Sequence, residues 1–243
     1  LVGLSLDGPK EIHDTYRTKP GGKGSFQRIM ETVNRFNKYK VEYNILFVVT
    51  AYSARHAGKI YNFFKKHGFR YLQFIPCLDP LGEQPGGHEY SLTPDRYAFF
   101  LKTLFDLWYN DISKGNVISI RYFDNLVSMA MGYRPEACGM SGVCSCQFVV
   151  EADGGVYPCD FYVIDEWYLG DLRHSSFEEI VKSEVTNRFI EVSKHIDTRC
   201  RECKWFGLCG GGCRRDREPF EEGKPVLNRF CPAYAEFFEY AGD

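Results

Sequence analysis

Residues 200–213 read C-R-E-C-K-W-F-G-L-C-G-G-G-C. Cys200, Cys203, Cys209 and Cys213 stand at C-x2-C-x5-C-x3-C spacing, with three glycines between the last two. Cysteines this dense in one loop form either a disulfide knot or a metal site. The glycines favour metal. Thiolates that converge on one centre need left-handed turns and close backbone approach. Zinc and an iron–sulfur cluster both take thiolate ligands. The other six cysteines are Cys77, Cys138, Cys144, Cys146, Cys159 and Cys231. Cys138 and Cys144 flank a glycine-containing loop, and Cys159 closes a hairpin that begins just after Cys146. This suggests a second thiolate site sharing ligands with the first. Eight cysteines fill two four-thiolate sites, leaving Cys77 and Cys146 as spare thiols. On its strand Cys77 reads as a packed thiol, while Cys146 could stand in for Cys144, two residues away.

An even count of ten cysteines also fits a secreted disulfide protein. Nine of the ten lie between 138 and 231, and that clustering argues for metal in a reducing cytosol. A pair of zinc sites stays open on spacing alone. Asp160 follows Cys159 at the hairpin exit, where an aspartate is most often a solvated turn residue. Arg214, Arg215 and Arg217 form a basic run beside Cys213. At a net charge of −2 the chain has no global field for nucleic acid, so these arginines read as neutralising a thiolate-rich site. The six histidines show no ligand pairing.

The elements that carry these residues fall into two parts. The chain has 243 residues, 44% apolar and 16% aromatic, enough for a substantial core. No stretch approaches a membrane helix. Residues 1–7 read as a buried strand ending in Asp-Gly-Pro, and a strand at the very first residue points to a part that precedes it. Ser25 is an N-cap for a helix with Phe26, Ile29, Met30, Val33 and Phe36 on one face. Residues 41–50 form a central strand. A helix with Ala57, Ile60, Tyr61 and Phe64 inward ends at Gly68, and residues 71–77 form a third strand. Strand, helix, strand, helix, strand indicates a parallel sheet. Thr93 and Pro94 open a long helix, and residues 122–131 form a shorter one. Residues 147–151 and 155–157 read as a hairpin. Ser176 and Glu179 make a capping box for a short helix, and another helix spans about 185–194.

Together these motifs carry a resemblance that spans nearly the whole chain. The cysteine pair, the hairpin with Gly154-Gly-Val-Tyr-Pro-Cys159, the C-x2-C-x5-C-x3-C loop and the last Cys231 resemble the SPASM domain of radical S-adenosylmethionine enzymes. Residues 1–80 resemble the later half of the partial (β/α)6 barrel of that superfamily. With S-L-D-G-P, Q-F-I-P and Y-P-C-D-F-Y, the chain looks most like an anaerobic sulfatase-maturating enzyme. The implied fold is α/β: barrel strands and helices over 1–115, then a linker helix and a small α+β domain over 116–243. The resemblance implies two auxiliary [4Fe-4S] clusters. Cys138, Cys144, Cys159 and Cys213 would hold the first, and Cys200, Cys203, Cys209 and Cys231 the second.

The same resemblance makes Asp160 the catalytic base and assigns Ser5, Arg17 and the Leu78 backbone to S-adenosylmethionine. Ser5 and Leu78 also lie near the ends of parallel strands, where ligands sit in such sheets. Arg17 is suited to the methionine carboxylate. The implied activity oxidises a cysteine or serine of a sulfatase polypeptide to Cα-formylglycine. It implies a cytoplasmic monomer, fed by ferredoxin or flavodoxin, with neither nucleic acid nor membrane as partner. The alternatives are another peptide-modifying SPASM enzyme, such as a thioether cross-linker, and a non-catalytic electron-transfer or peptide-docking module. The chain has no C-x3-C-x2-C loop for the third, S-adenosylmethionine-cleaving cluster, so by itself it is expected to be inactive in that cleavage.

Overall fold

The structure, a computed structural model, describes residues 1–242. By Cα proximity it divides into two compact units. One comprises Leu1–Gly132 with the chain from Pro232 onward, and the other Tyr133–Cys231. The division falls at Gly132/Tyr133 rather than at 115/116.

The first unit is built on a parallel four-stranded sheet in the order β1 (Val2–Ser5), β2 (Tyr43–Val49), β3 (Tyr71–Pro76) and β4 (Ser119–Ile120). Its register pairs Ser5 with Leu46, Phe47 with Phe74 and Leu72 with Ile120. β2 is the centre of the core. Phe47 is 1% exposed, and its ring meets those of Phe74, Phe64 and Phe100 at 5.3, 6.1 and 6.3 Å. Burying such a side chain contributes about 1.5–3 kcal/mol. Phe64 lies on α3 (Ala57–Lys66) and Phe100 on α4 (Pro94–Ser113). Gly68, at φ +75°, ends the turn that follows α3, and its N–H bonds Lys65 O at 3.1 Å.

Four features differ from the sequence reading. The sheet gains β4, only two residues long, and the chain gains α1 (Lys10–Tyr16). The residues of 116–132 belong to this unit because β4 pairs with β3 and is followed by α5 (Arg121–Ala130). On α5, Phe123 packs on Trp108 of α4 and Phe237 of α10 (Cys231–Gly242), at 5.1 and 5.8 Å. Finally, Ser25 does not cap α2 (Phe26–Tyr39) with its side chain. Asp14 does so from α1, its Oδ1 accepting the Phe26 N–H at 2.9 Å.

The second unit carries an antiparallel sheet of β5 (Val149–Val150), β6 (Gly155–Tyr157) and β7 (Gly170–Asp171). β5 and β6 form the expected hairpin, with Val150 opposite Val156. Val156, Leu169 and Ile180 make a small core beneath it. Ile180 is supplied by α6 (Phe177–Val181), which Ser176 and Glu179 close with a complete capping box. Then come α7 (Glu184–Ser193), α8 (Thr198–Arg201) and α9 (Phe206–Cys209). Among the described residues no helix is long and apolar enough to cross a membrane.

Candidate functional site

All ten cysteines are free thiols. The electrostatic influences they exert link nine of them into two groups, with Cys146 attached to the first through Cys144 alone. The thiols of Cys144, Cys159 and Cys213 each feel Cys138, and Cys213 also feels Cys144. In the other group Cys209 feels Cys200, Cys203 and Cys231, and Cys231 feels Cys203. Cys146 feels Cys144, and burial pushes its thiol up to about 11.

Each member of the first group is fixed by a local device. Cys138 opens a 3-10 turn over Cys138–Met140, and the Cys144 N–H donates to Ser193 Oγ at 2.9 Å. Cys159 precedes a second 3-10 turn over Asp160–Tyr162. Cys213 Sγ accepts the Arg215 N–H at 3.4 Å. Bringing residues 138–144 against 209–213 requires backbone to touch backbone. Gly142 has φ +71°, and a Cβ there would stand 2.3 Å from Gly210 O. Gly210 is itself left-handed, at φ +60°, and its own Cβ would stand 2.9 Å from Met140 O. Only glycine at both positions permits the crossing.

Burial pushes the Cys159 thiol up to about 12 and Cys209 up to about 11, and drives Cys213 higher still. Such thiols stay protonated in water-excluded surroundings, so ligation must displace their protons. Cys159 Sγ donates to Asp160 Oδ1 at 3.2 Å, and Asp160 is exposed. Among the described residues no three His, Cys, Asp or Glu side chains are arranged to hold one metal ion. A four-iron cluster gives each thiolate its own iron and so spaces its ligands wider than a single zinc does. Four thiols in each group, with the one glycine crossing between residues 138–144 and 209–213 and buried arginine alongside, fit such clusters. Arg214 and Arg217 are each 2% exposed, and Arg217 acts on Cys144, Cys213 and Cys200.

In the first unit, Ser5 is the last residue of β1 and Leu78 lies two residues beyond β3, both half-buried. Both therefore stand at the C-terminal edge of the parallel sheet. Arg17 is engaged with Asp7, to whose carboxylate its guanidinium donates twice. Asp7 Oδ1 also accepts the Val48 N–H at 2.9 Å. Behind this pair, His13 is fully buried. It joins the Asp7 N–H, at 3.0 Å, to Ser25 Oγ, at 2.9 Å, and Ser25 Oγ donates to Arg17 O at 2.9 Å. Asp7, His13, Ser25 and Arg17 thus close a ring. The sequence reading missed His13 because a lone histidine shows no pairing; its position in the first turns after a strand end was the one available signal. Cys77 is half-buried just past β3, its thiol 3.9 Å from Leu78 O.

Residues 138–204 match the SPASM family, an iron–sulfur cluster-binding domain, and cover three of the four thiols in the first group. The cysteine-type anaerobic sulfatase-maturating enzyme of Clostridium novyi (strain NT) is 52% identical over 98% of this chain and 64% of its own length. The serine-type enzyme of Bacteroides thetaiotaomicron is 34% identical over 99% of this chain and 61% of its own. The solved structure of native anSMEcpe with bound AdoMet and Cp18Cys peptide superposes with a TM-score of 0.96 at 50% identity, covering 99% of this chain and 66% of that one. Over nearly its whole length the chain is similar to anaerobic sulfatase-maturating enzymes, and it spans just under two thirds of the length of the relatives it matches.

Proposed function

We propose that this chain is the part of an anaerobic sulfatase-maturating enzyme that holds two iron–sulfur clusters and the base for oxidising a substrate cysteine to Cα-formylglycine. Identity favours cysteine over serine as the target, at 52% to the cysteine-type relative against 34% to the serine-type one. When bound, the clusters and S-adenosylmethionine would supply electron transfer and hydrogen-atom abstraction. Cys138, Cys144, Cys159 and Cys213 would hold one cluster, and Cys200, Cys203, Cys209 and Cys231 the other. The half-buried Ser5 and the Leu78 backbone would face S-adenosylmethionine at the sheet edge, with Arg17 oriented toward it by Asp7. Ten free thiols suit a reducing cytoplasm.

The observation that carries the reading is the pairing of Asp160 with Cys159. The carboxylate is exposed, so a peptide can reach it, and it lies within hydrogen-bond distance of a ligand thiol. Were Cys159 to bind a cluster, its thiol proton would be displaced and Asp160 Oδ1 left free to accept one from the substrate thiol. Taking that proton makes the substrate a stronger reductant just where an electron acceptor would sit. The test is Asp160→Asn in the full-length enzyme with a short sulfatase-motif peptide. Formylglycine is expected to fall by roughly 10²–10⁴-fold, while 5′-deoxyadenosine is still formed. Near-normal formylglycine would reduce Asp160 to a turn residue. Loss of both products together with iron would make it a support for the Cys159 cluster.

A further inference from the structure

Arginine is rarely buried completely without an anionic partner, and its guanidinium stays protonated in proteins. The second unit buries three: Arg215, 7% exposed, and Arg214 and Arg217, each 2% exposed. Arg214 Cζ lies 4.4 to 5.0 Å from the ring centroids of Trp167, Phe189, Tyr162 and Phe220. Its Nη1 donates to Phe189 O at 3.0 Å. Arg217 donates from Nη1 to His195 O at 2.9 Å and from Nη2 to Ser193 O at 3.1 Å. The Nε of each is buried with no partner. Rings and carbonyls are neutral acceptors. They hold the charge in place without cancelling it, and an uncompensated buried charge is costly. Two carboxylates lie in the neighbourhood. Glu218, which accepts from Tyr162 Oη at 3.0 Å, acts on Arg214, and Asp216 is shared among Arg229, Arg215 and Arg217.

The positions of the two cations relative to the thiols are specific. Arg217 is tied on one side to Ser193, whose hydroxyl accepts the Cys144 N–H. On the other side it is tied to His195, two residues before Asp197, the N-cap of the helix that carries Cys200. It therefore stands between a thiol of the first group and a thiol of the second, and acts on both. Arg214 follows Cys213 directly and packs on Tyr162, whose N–H bonds Cys159 O at 3.0 Å. Both of these thiols belong to the first group.

We infer that Arg217 is a fixed positive charge shared by the two cluster sites, holding up the reduction potential of both, and that Arg214 does the same for the first site alone. The inference rests on the cluster assignment proposed above. One-electron reduction adds a negative charge to a centre, and a nearby buried cation favours the reduced form. Neither arginine touches reacting atoms, so both are positioning residues whose readout is a potential.

The experiment is an EPR-monitored redox titration of the full-length holoenzyme, with Cys138→Ala and Cys203→Ala assigning the signals of the first and second sites. Arg217→Met is expected to lower the reduced-to-oxidised ratio of both sites by roughly tenfold at a fixed poise, about 59 mV for one electron. Arg214→Met is expected to lower the first site only, and Arg217→Lys to stay within about threefold of wild type. If Arg217→Met does not assemble, Arg217→Gln takes its place. The inference is overturned if the neutral variants keep iron and sulfide yet leave the potentials unchanged, or if Arg217→Lys shifts as far as Arg217→Met. A wild-type protein that builds no clusters at these sites would instead overturn the cluster assignment itself.

Discussion

Gly142→Ala tests whether the thiol groups depend on backbone touching backbone. Alanine at φ +71° costs about 1–2 kcal/mol from the left-handed conformation alone. Its Cβ would also stand 2.3 Å from Gly210 O and 3.1 Å from the Gly210 carbonyl carbon, where ordinary contact begins at 3.4 Å. A side chain could swing aside, but a carbonyl in a loop between two ligand thiols cannot. Relieving the clash means shifting residues 209–213, and overpacking of this kind costs about 1–3 kcal/mol more. The sum is about 2–5 kcal/mol. Gly223→Ala is the control within the same unit. Its φ is +73°, nearly that of Gly142, and its Cβ would meet nothing within 4 Å. It should lose only the conformational part. The assay is the urea midpoint of the anaerobically reconstituted protein, with iron and sulfide counted in parallel. Gly142→Ala should lose more stability than Gly223→Ala by at least about 1 kcal/mol and should also lose iron. Equal losses with unchanged iron would refute the idea that this crossing holds the first thiol group together.

Two further outcomes follow from other parts of the molecule. Asp111 is 3% exposed and accepts from Tyr61 Oη at 2.8 Å and from Lys65 Nζ at 2.5 Å. Burial pushes its carboxyl up, but the hydrogen bonds from Lys65 and Tyr61 outweigh it and hold the folded-state value below normal. The stability it contributes is therefore present above the usual carboxylate range and lost as pH falls through the lowered value. Asp111→Asn should cost about 1.5–3 kcal/mol at pH 7 and less near pH 3, and a loss that does not depend on pH would count against the ion pair. Separately, Cys203→Ala should lower iron by roughly half of the two-site content, while Cys77→Ala should leave it unchanged. Identical iron contents in the two variants would show that ligand and spare thiols have been divided wrongly.

What was legible in the sequence was what repeats a local physical rule. The parallel sheet followed from apolar runs alternating with helical periodicity. The capping box at Ser176 and Glu179 and the glycine after α3 followed from chemistry confined to a few residues. Short or non-local features were not legible. β4 and β7 are two residues each, too short for any alternation to show, and exist because neighbouring strands offer them partners. α1 has little apolar periodicity, since one of its two buried residues is His13. Its Asp14 caps α2 across twelve positions, so the adjacent Ser25 was the wrong candidate. At the candidate site, spacing pointed to the thiols as ligands without showing that Gly142 and Gly210 cross. The arginines after Cys213 read as neutralising charges, but their burial, that of Arg214 among four aromatic rings, is a property of the folded unit. Arg17 read as a partner for a ligand carboxylate, and the structure shows its engagement with Asp7.

The ring of Asp7, His13, Ser25 and Arg17 has a direction. The Asp7 N–H points at Nδ1, so that nitrogen must be bare, and the only ring proton must sit on Nε2. Nε2 then donates to Ser25, and Ser25 can pass its own hydrogen on only to the Arg17 carbonyl. Every proton in the circuit is assigned by the one before it, and a single tautomer of one imidazole sets the sense. Burial, the largest influence, pulls His13 below the usual histidine range and keeps it neutral. A second proton would leave Nδ1 with two hydrogens facing each other and no acceptor between them. The contribution of this circuit is thus whole above the ordinary histidine range and is lost as pH falls toward the lowered value. The loop that presents Arg17 at the sheet edge is consequently held by a neutral histidine, and acid strong enough to protonate Nδ1 would release it.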